Sequence, residues 1–286
     1  MSTGQEPRDL SLEFDALVRR VLHEDLHAGD ITASVTVPEG TRARAHIETR
    51  ESVRVCGVGL ATRVFRALDP GVSLSVLIGD GRDAAPGESL MTLEGDARAL
   101  LAAERTALNL MQRATAVATK TATFVAAVEG RDTRITDTRK TMPGLRVLDR
   151  YAVRCGGGHN HRNDLGSGVL IKENHIRGAG GLEAAIKGAR AQAPHTLRIC
   201  CEVETLEEVS RAVSAGADSL LLDNMDDTHV QRAMELVNGR AFVEVSGGIT
   251  LDRVTRLARL GVGAVSVGAL THSADAVDLS MLFADA

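Results

Sequence analysis

Beyond about residue 130 the chain alternates between short apolar runs and segments of helical spacing. Strand-like runs fall at Thr133–Asp137, Val169–Ile171, Leu197–Val203, Ser219–Leu222, Ala241–Val245 and Ala264–Val267. Helical spacing fills the intervals at Gly181–Ala193, Leu206–Ala215, Asp227–Asn238 and Leu251–Leu260. Leu145, Leu148, Ala152 and Cys155 predict one more helix. It opens near Thr141-Met142-Pro143, where a first turn tolerates proline, and stops at Gly156. Alternation of this kind requires a parallel sheet covered by helices.

The ends of these runs choose between two architectures. Thr138-Arg139-Lys140 follow the first run, and Lys172-Glu173-Asn174-His175 the second. Glu202 and Glu204 mark the third, Asp223-Asn224 the fourth, Ser246-Gly247-Gly248 the fifth and Gly268-Ala269 the sixth. Reactive side chains after nearly every strand are the habit of a β/α barrel, whose site lies at the C-terminal face. An open doubly wound sheet gathers its site at one crevice instead. Six runs are fewer than the usual eight, so the expected fold is α/β, an irregular or open TIM-like barrel.

The earlier part of the chain reads differently. Phe14, Leu17, Val18, Val21 and Leu22 recur at helical spacing. Extended runs follow at Ala43–Thr49 and Ser52–Cys56, and Val72, Leu74, Val76 and Ile78 alternate into a Gly79-Asp80-Gly81 turn. Another short strand is expected over Glu88–Leu93 after Pro86-Gly87. This is a small α+β section with antiparallel pairing. A helix from Ala97 to about Val128 links it to the barrel. The expected division is residues 1–115 and 116–270, with a tail, 271–286, packing back on the first domain.

Charge is unevenly spread. Residues 134 to 175 hold eight Lys and Arg against four acids, in a chain of net charge −5. A cationic focus in an acidic protein points to a small anionic ligand rather than nucleic acid. Arg146, Arg150 and Arg154 fall at i, i+4 and i+8 and read as a solvated helix face. Arg139, Lys140, Arg162 and Lys172 sit at strand ends or in a glycine-rich loop and read as ligand contacts. Guanidinium forks suit carboxylates, and lysine suits phosphate as a point charge.

Gly156-Gly157-Gly158-His159-Asn160-His161-Arg162 is the densest segment. Its glycines let the backbone approach a ligand or another strand. Its histidines admit three roles: metal ligation, structural contacts or anion contact. Ser246-Gly247-Gly248 before a helix, paired with Gly268-Ala269, has the form of a phosphate cradle in late barrel loops. Glu202 and Asp223 offer hard oxygen ligands for Mg2+, hydroxyl acceptors for a ribose, or salt-bridge partners for nearby cations.

Other features exclude functions. Five Phe, one Tyr and no Trp leave no platform for stacking bases. No apolar stretch approaches the ~20 residues of a membrane helix, and the polar start Met1–Pro7 has no apolar signal core. Cys56, Cys155, Cys200 and Cys201 show no C-x-x-C spacing and read as buried, reduced core residues. A cytoplasmic globular protein is expected.

Several ordered motifs carry a resemblance. They are Ala103-Glu-Arg-Thr-Ala-Leu-Asn109, Asp137-Thr-Arg-Lys-Thr-Met-Pro-Gly-Leu-Arg146, Tyr151-Ala-Val153, Gly156-Gly-Gly158, Asn160-His-Arg162 and Leu170-Ile-Lys-Glu-Asn-His175. Leu222-Asp-Asn224, Glu244-Val-Ser-Gly-Gly248 and Ser266-Val-Gly-Ala-Leu-Thr-His-Ser273 complete the set. In this order they resemble the quinolinate phosphoribosyltransferase family, the decarboxylating enzymes of NAD synthesis.

The resemblance implies an N-terminal α/β sandwich, an irregular β/α barrel, and a homodimer, with a hexamer as a further assembly. One subunit's N-terminal region would close the other's barrel, bringing Arg105 into the neighbouring site. Arg105, Arg139, His161, Arg162 and Lys172 would surround quinolinate. Lys140, Lys172, Glu202, Asp223, Ser246, Gly247, Gly248, Gly268 and Ala269 would hold phosphoribosyl pyrophosphate. Lys140, Lys172, Glu202 and Asp223 would serve catalysis, and Glu202 and Asp223 would carry Mg2+. Two departures stand out: Cys200 replaces an acidic residue, and Leu165-Gly-Ser-Gly168 lacks an Asp that the family tends to place before the Lys172 strand. Two rival readings are a paralogous phosphoribosyltransferase-like protein with another acceptor and a non-catalytic ligand-binding relic. The full cation set around Arg139 and Arg162 argues against a neutral or monocarboxylate acceptor, which would leave charge unpaired.

Overall fold

A computed structural model describes residues 10–284, so the polar start lies outside the described residues. The first half of the chain forms α1 (Ser11–Leu26), α2 (Ile31–Thr36), β1 (Arg42–Thr49), β2 (Val53–Arg54), α3 (Val58–Leu68), β3 (Ser73–Val76), β4 (Asp83–Ala84), β5 (Ser89–Asp96) and α4 (Ala97–Ala126). Then come β6 (Arg134–Thr136), α5 (Arg146–Cys155), β7 (Val169–Ile171), α6 (Glu173–Gly178), α7 (Leu182–Gln192) and β8 (Ile199–Val203). The chain ends with α8 (Leu206–Ser214), β9 (Ser219–Asp223), α9 (Asp227–Val237), β10 (Phe242–Ser246), α10 (Leu251–Arg259), β11 (Ala264–Ser266), α11 (Ala269–His272) and β12 (Leu279–Phe283).

Contacts group the chain into two units. The first takes residues 1–122, 141–157 and 270–286; the second takes 123–140 and 158–269. In the first unit, one sheet has the order β12-β1-β5-β3, with antiparallel pairs throughout. Alternate burial along β1 and β5 puts Ile47, Met91 and Leu93 into the core with Phe14, Phe65 and Met111, and Leu90, outside that alternation, is buried as well. β12 extends the sheet edge, Ala45 pairing with Phe283 and Thr49 with Leu279. α2, α3 and β12 have no counterpart in the sequence reading above.

The sequence reading placed α5 among the barrel helices, but its contacts lie in the first unit. Its apolar face carries Leu148, Tyr151, Ala152 and Val153. Tyr151 meets Phe14 edge-to-face at 5.4 Å, and Asp149, fully buried, takes a bidentate pair from Arg113 at 2.9 and 3.0 Å. At its end, a Cβ on Gly156 would lie 2.5 Å from the Ala118 carbonyl oxygen and 2.6 Å from Thr121 Cβ. Only glycine allows that approach, so Gly156 serves packing against α4 and not a ligand. Of the supposed solvated stripe, Arg154 is exposed while Arg146 and Arg150 are half-buried.

The second unit is a six-stranded parallel sheet in the order β6-β11-β10-β9-β8-β7. His159 adds an isolated parallel bridge to Thr136, outside β6. Among the described residues β6 and β7 do not pair, so this barrel is open. Its strands are buried almost continuously, as helices on a parallel sheet demand. Side chains set the helix starts: Thr205 and Glu208 form a capping box on α8, Asp226 caps α9 and Thr250 caps α10. Each cap stabilises its helix by about 1 kcal/mol. No helix of the described residues is long and apolar enough to cross a membrane.

Candidate active site

Parallel strands put all their C-terminal ends at one edge of the sheet. The strand order therefore brings Arg139 and Lys140 (after β6), Gly268 and Ala269 (after β11) and Ser246–Gly248 (ending β10) to the same edge as Asp223, Glu202 and Lys172, which end or follow β9, β8 and β7. Arg105 belongs to the first unit and is exposed on α4.

The cationic side begins with Asp137, fully buried just after β6. Its carboxylate accepts the His161 N–H at 2.6 Å and the Asn160 side-chain amide at 2.7 Å. Asp137 thus carries the glycine–histidine loop on the sheet. The His161 ring turns inward: Nδ1 accepts the Arg162 N–H at 2.7 Å, and Nε2 lies 3.4 Å from the Glu244 carboxylate. Glu244 is itself buried and bonded to Ser266 Oγ, which contacts Thr136 Oγ1 at 2.8 Å. Arg162 is half-buried, with one guanidinium nitrogen on the Gly168 carbonyl at 3.1 Å. Burial, and then the charge of Arg139, push the Arg162 guanidinium below its ordinary pKa. An anion relieves the repulsion between two such like charges.

The acidic side lies on β8 and β9. Lys172 Nζ donates to Glu202 Oε2 across neighbouring strands. His175 Nδ1 accepts the Lys172 N–H at 3.0 Å and so ties the lysine's backbone to α6. Asp223 Oδ1 accepts from Ser246 Oγ at 2.5 Å, and Oδ2 from the Asn224 amide at 2.9 Å.

The turn after β10 has no room for a side chain at Gly247. Gly247 has φ +89°, and a Cβ there would lie 2.1 Å from Asn224 Oδ1. Its carbonyl is gripped by Arg253 of α10 at 2.6 Å, and Arg253 and Arg256 both bind Asp227, at 3.2 and 2.7 Å. Backbone donors ahead of a helix, locked in place, suit a phosphate.

Glu202 and Asp223 provide hard oxygen donors with lone pairs to spare. Mg2+ keeps several waters and takes one or two carboxylates plus phosphate oxygens, not a full protein cage. This pair fits that habit.

Comparison with known proteins decides the family. Residues 117–282 match the model of the quinolinate phosphoribosyl transferase C-terminal domain, and residues 30–115 that of its N-terminal domain. The chain belongs to the quinolinate phosphoribosyl transferase family. It is 41% identical over 280 residues to a carboxylating nicotinate-nucleotide pyrophosphorylase of Mycobacterium leprae, covering 94% of this chain and 98% of that one. A probable enzyme of the same name from Bacillus subtilis is 38% identical, covering 94% and 93%. The nicotinate-nucleotide pyrophosphorylase structure from Francisella tularensis superposes with a TM-score of 0.90 at 37% identity, covering 98% of both chains.

The structure gives both departures from the quinolinate phosphoribosyl transferase pattern a local account. Burial pushes the Cys200 thiol up to about 12, so it stays neutral and supplies no acidic group. In the Ser167 loop, Asp164 accepts from Ser167 Oγ at 2.6 Å and the Gly166 N–H at 2.9 Å. Those bonds hold the Asp164 carboxyl below its usual range and order the loop from within. The sequence analysis gave no separate role to Asp137, counted among the acids of the charged segment, to Glu244, quoted only within a motif, or to Arg253; all three orient the loops. Their signal was position alone: an acid inside an apolar strand, an acid closing one, and an arginine following a glycine turn.

Proposed function

We propose that this protein transfers the phosphoribosyl group of phosphoribosyl pyrophosphate to quinolinate, with decarboxylation, in NAD synthesis. The products are nicotinate mononucleotide, pyrophosphate and CO2. The observation that carries the reading is the Arg139–Arg162 pair, held on one sheet edge with Lys172, Glu202 and Asp223. Quinolinate is a pyridine dicarboxylate, and paired guanidiniums match its two carboxylates.

In this reading Arg139 and Arg162 orient the ring so that its nitrogen faces the anomeric carbon of the sugar. The Gly247–Gly248 turn and the Gly268-Ala269 segment hold the 5′-phosphate. The nitrogen–carbon bond forms as the carbon–oxygen bond to pyrophosphate breaks, and the bonding electrons leave with the pyrophosphate. Lys140 and Lys172 stabilise the charge that grows there, more in the transition state than before it. Glu202 and Asp223 face the cation-like ribosyl carbon. They would also hold Mg2+, which supplies Lewis-acid stabilisation of the pyrophosphate. The ring nitrogen is then positive, and this eases loss of the neighbouring carboxylate as CO2. The electron pair left on that carbon takes a proton to give the product.

Arg105, exposed on α4, is assigned to the site of a partner subunit in a homodimer. Exposure and the family pattern support that role. The deciding experiment incubates protein, quinolinate, phosphoribosyl pyrophosphate and Mg2+, and follows CO2 and nicotinate mononucleotide. Nicotinate is the rival acceptor. Product from nicotinate but not quinolinate, or binding without product, refutes the assignment.

A further inference from the structure

The first unit gathers three metal-ligating side chains. Cys56, Asp80 and Cys155 place one ligand atom each within 4.8 Å of one another. Sequence spacing gives no hint of this, because the three come from the β2–α3 junction, the turn after β3 and the last residue of α5.

Each piece is anchored independently. The Cys56 N–H donates to Thr115 Oγ1 at 3.1 Å, and that hydroxyl donates back to the Cys56 carbonyl at 2.9 Å. Gly81 N–H bonds the Val55 carbonyl at 2.8 Å, pinning the Asp80 turn beside Cys56. Asp80 Oδ1 accepts the Val58 N–H at 3.0 Å, and Oδ2 accepts from the Tyr151 hydroxyl at 2.8 Å, one turn before Cys155 on α5. Cys56 is buried, while Asp80 and Cys155 are half-buried and give the cluster an approach from the surface.

The chemistry of the set is one-sided. Burial, a bond from Cys155 and the negative charge of Asp80 all drive the Cys56 thiol well above its ordinary pKa. Three groups that are neutral or anionic stand together, and a divalent cation would reverse every one of those penalties. Tetrahedral Zn2+ with bonds of ~2.3 Å sets its sulfur ligands about 3.8 Å apart, which lies inside the 4.8 Å that bounds all three ligand atoms here. A disulfide needs its sulfurs at ~2.05 Å.

We propose that Cys56, Cys155 and Asp80 form a binding site for a thiophilic divalent cation, Zn2+, in the first unit. Water completes the tetrahedron. Tyr151 holds the Asp80 carboxylate from outside, as supporting partners of metal ligands do. Binding converts both thiols to thiolates and releases two protons to solvent. Thiolate ligands exclude Mg2+ from the site. The ion would fasten α5 to the β2–α3 junction and so stabilise the first unit.

The test uses the full chain, reduced and stripped of metal with a chelator. Titration with Co2+ should give one equivalent bound with a thiolate-to-cobalt charge-transfer band, and Zn2+ should displace it and raise Tm. Cys155→Ser should abolish the band and the Tm shift, and Asp80→Asn should weaken binding tenfold or more. Tyr151→Phe should retain the band with affinity lowered about tenfold, and Cys201→Ala should leave both readouts intact. Should Cys56→Ser fail to fold, Cys155→Ser still decides. The proposal is overturned by the absence of a charge-transfer band in the wild-type chain, or by its survival in Cys155→Ser.

Discussion

His161 lies between two partners of opposite kind: its Nδ1 accepts the Arg162 N–H at 2.7 Å, and its Nε2 stands 3.4 Å from the Glu244 carboxylate. The first contact puts the ring proton on Nε2, directed at Glu244. Glu244 therefore sets the ring that positions Arg162. Glu244→Gln should lower kcat/KM for quinolinate about tenfold, or ~1.4 kcal/mol, and leave the KM for phosphoribosyl pyrophosphate unchanged. Glu244→Ala should cost more, because Gln still offers an acceptor. Steady-state kinetics with each substrate varied checks both.

Lys172 contacts Glu202 directly. Removing a group that stabilises transition-state charge costs roughly 10²–10³ in kcat. Lys172→Ala should fall in that range, and near-wild-type turnover would sink the assignment. Mixing Arg105→Ala and Lys172→Ala chains under subunit exchange should restore part of the activity. No recovery in verified heterodimers would place Arg105 in its own chain's site.

Gly247 admits no Cβ, since Asn224 Oδ1 would be 2.1 Å away. Gly247→Ala should raise the KM for phosphoribosyl pyrophosphate sharply while far-UV circular dichroism stays unchanged.

Asp227 couples this turn to pH. Its bonds with Arg256 and Arg253 lower its pKa below the ordinary carboxylate value, burial opposing them. A depressed carboxyl pKa contributes stability that is present above the unfolded value of ~3.9 and lost as pH falls through the folded value. Asp227→Asn should therefore flatten the wild-type loss of Tm on acidification below about pH 4. At neutral pH it should lower Tm slightly, and differential scanning calorimetry at several pH values resolves the two.

Arg113 neutralises the fully buried Asp149. Breaking a buried pair on one side costs roughly 3–5 kcal/mol. Arg113→Ala should lose that much stability in denaturant titration, whereas Arg113→Ala with Asp149→Ala should lose less.

Much of the barrel was legible because strand and helix periods differ and because parallel strands align their ends. Hence Arg139, Lys172, Glu202, Asp223 and Ser246 could be read to one edge from spacing alone. What escaped depends on distance in space. Arg146, Arg150 and Arg154 read as one solvated face and Gly156 as room for a ligand or another strand, but helix periodicity cannot say which core a helix joins. Cys56 and Cys155 are neighbours only through folding. β12 was hidden because its partner, β1, lies at the other end of the chain.

The pairing of Ala45 with Phe283 has a consequence for biogenesis. A ribosome delivers β1 early and β12 last, so the edge of the first sheet stays uncovered while the whole second unit is being synthesised. An open β edge templates pairing with any other strand. The nascent chain should thus be most prone to aggregation late in translation, and shielding β1 until Leu279–Phe283 emerges is a natural task for a chaperone.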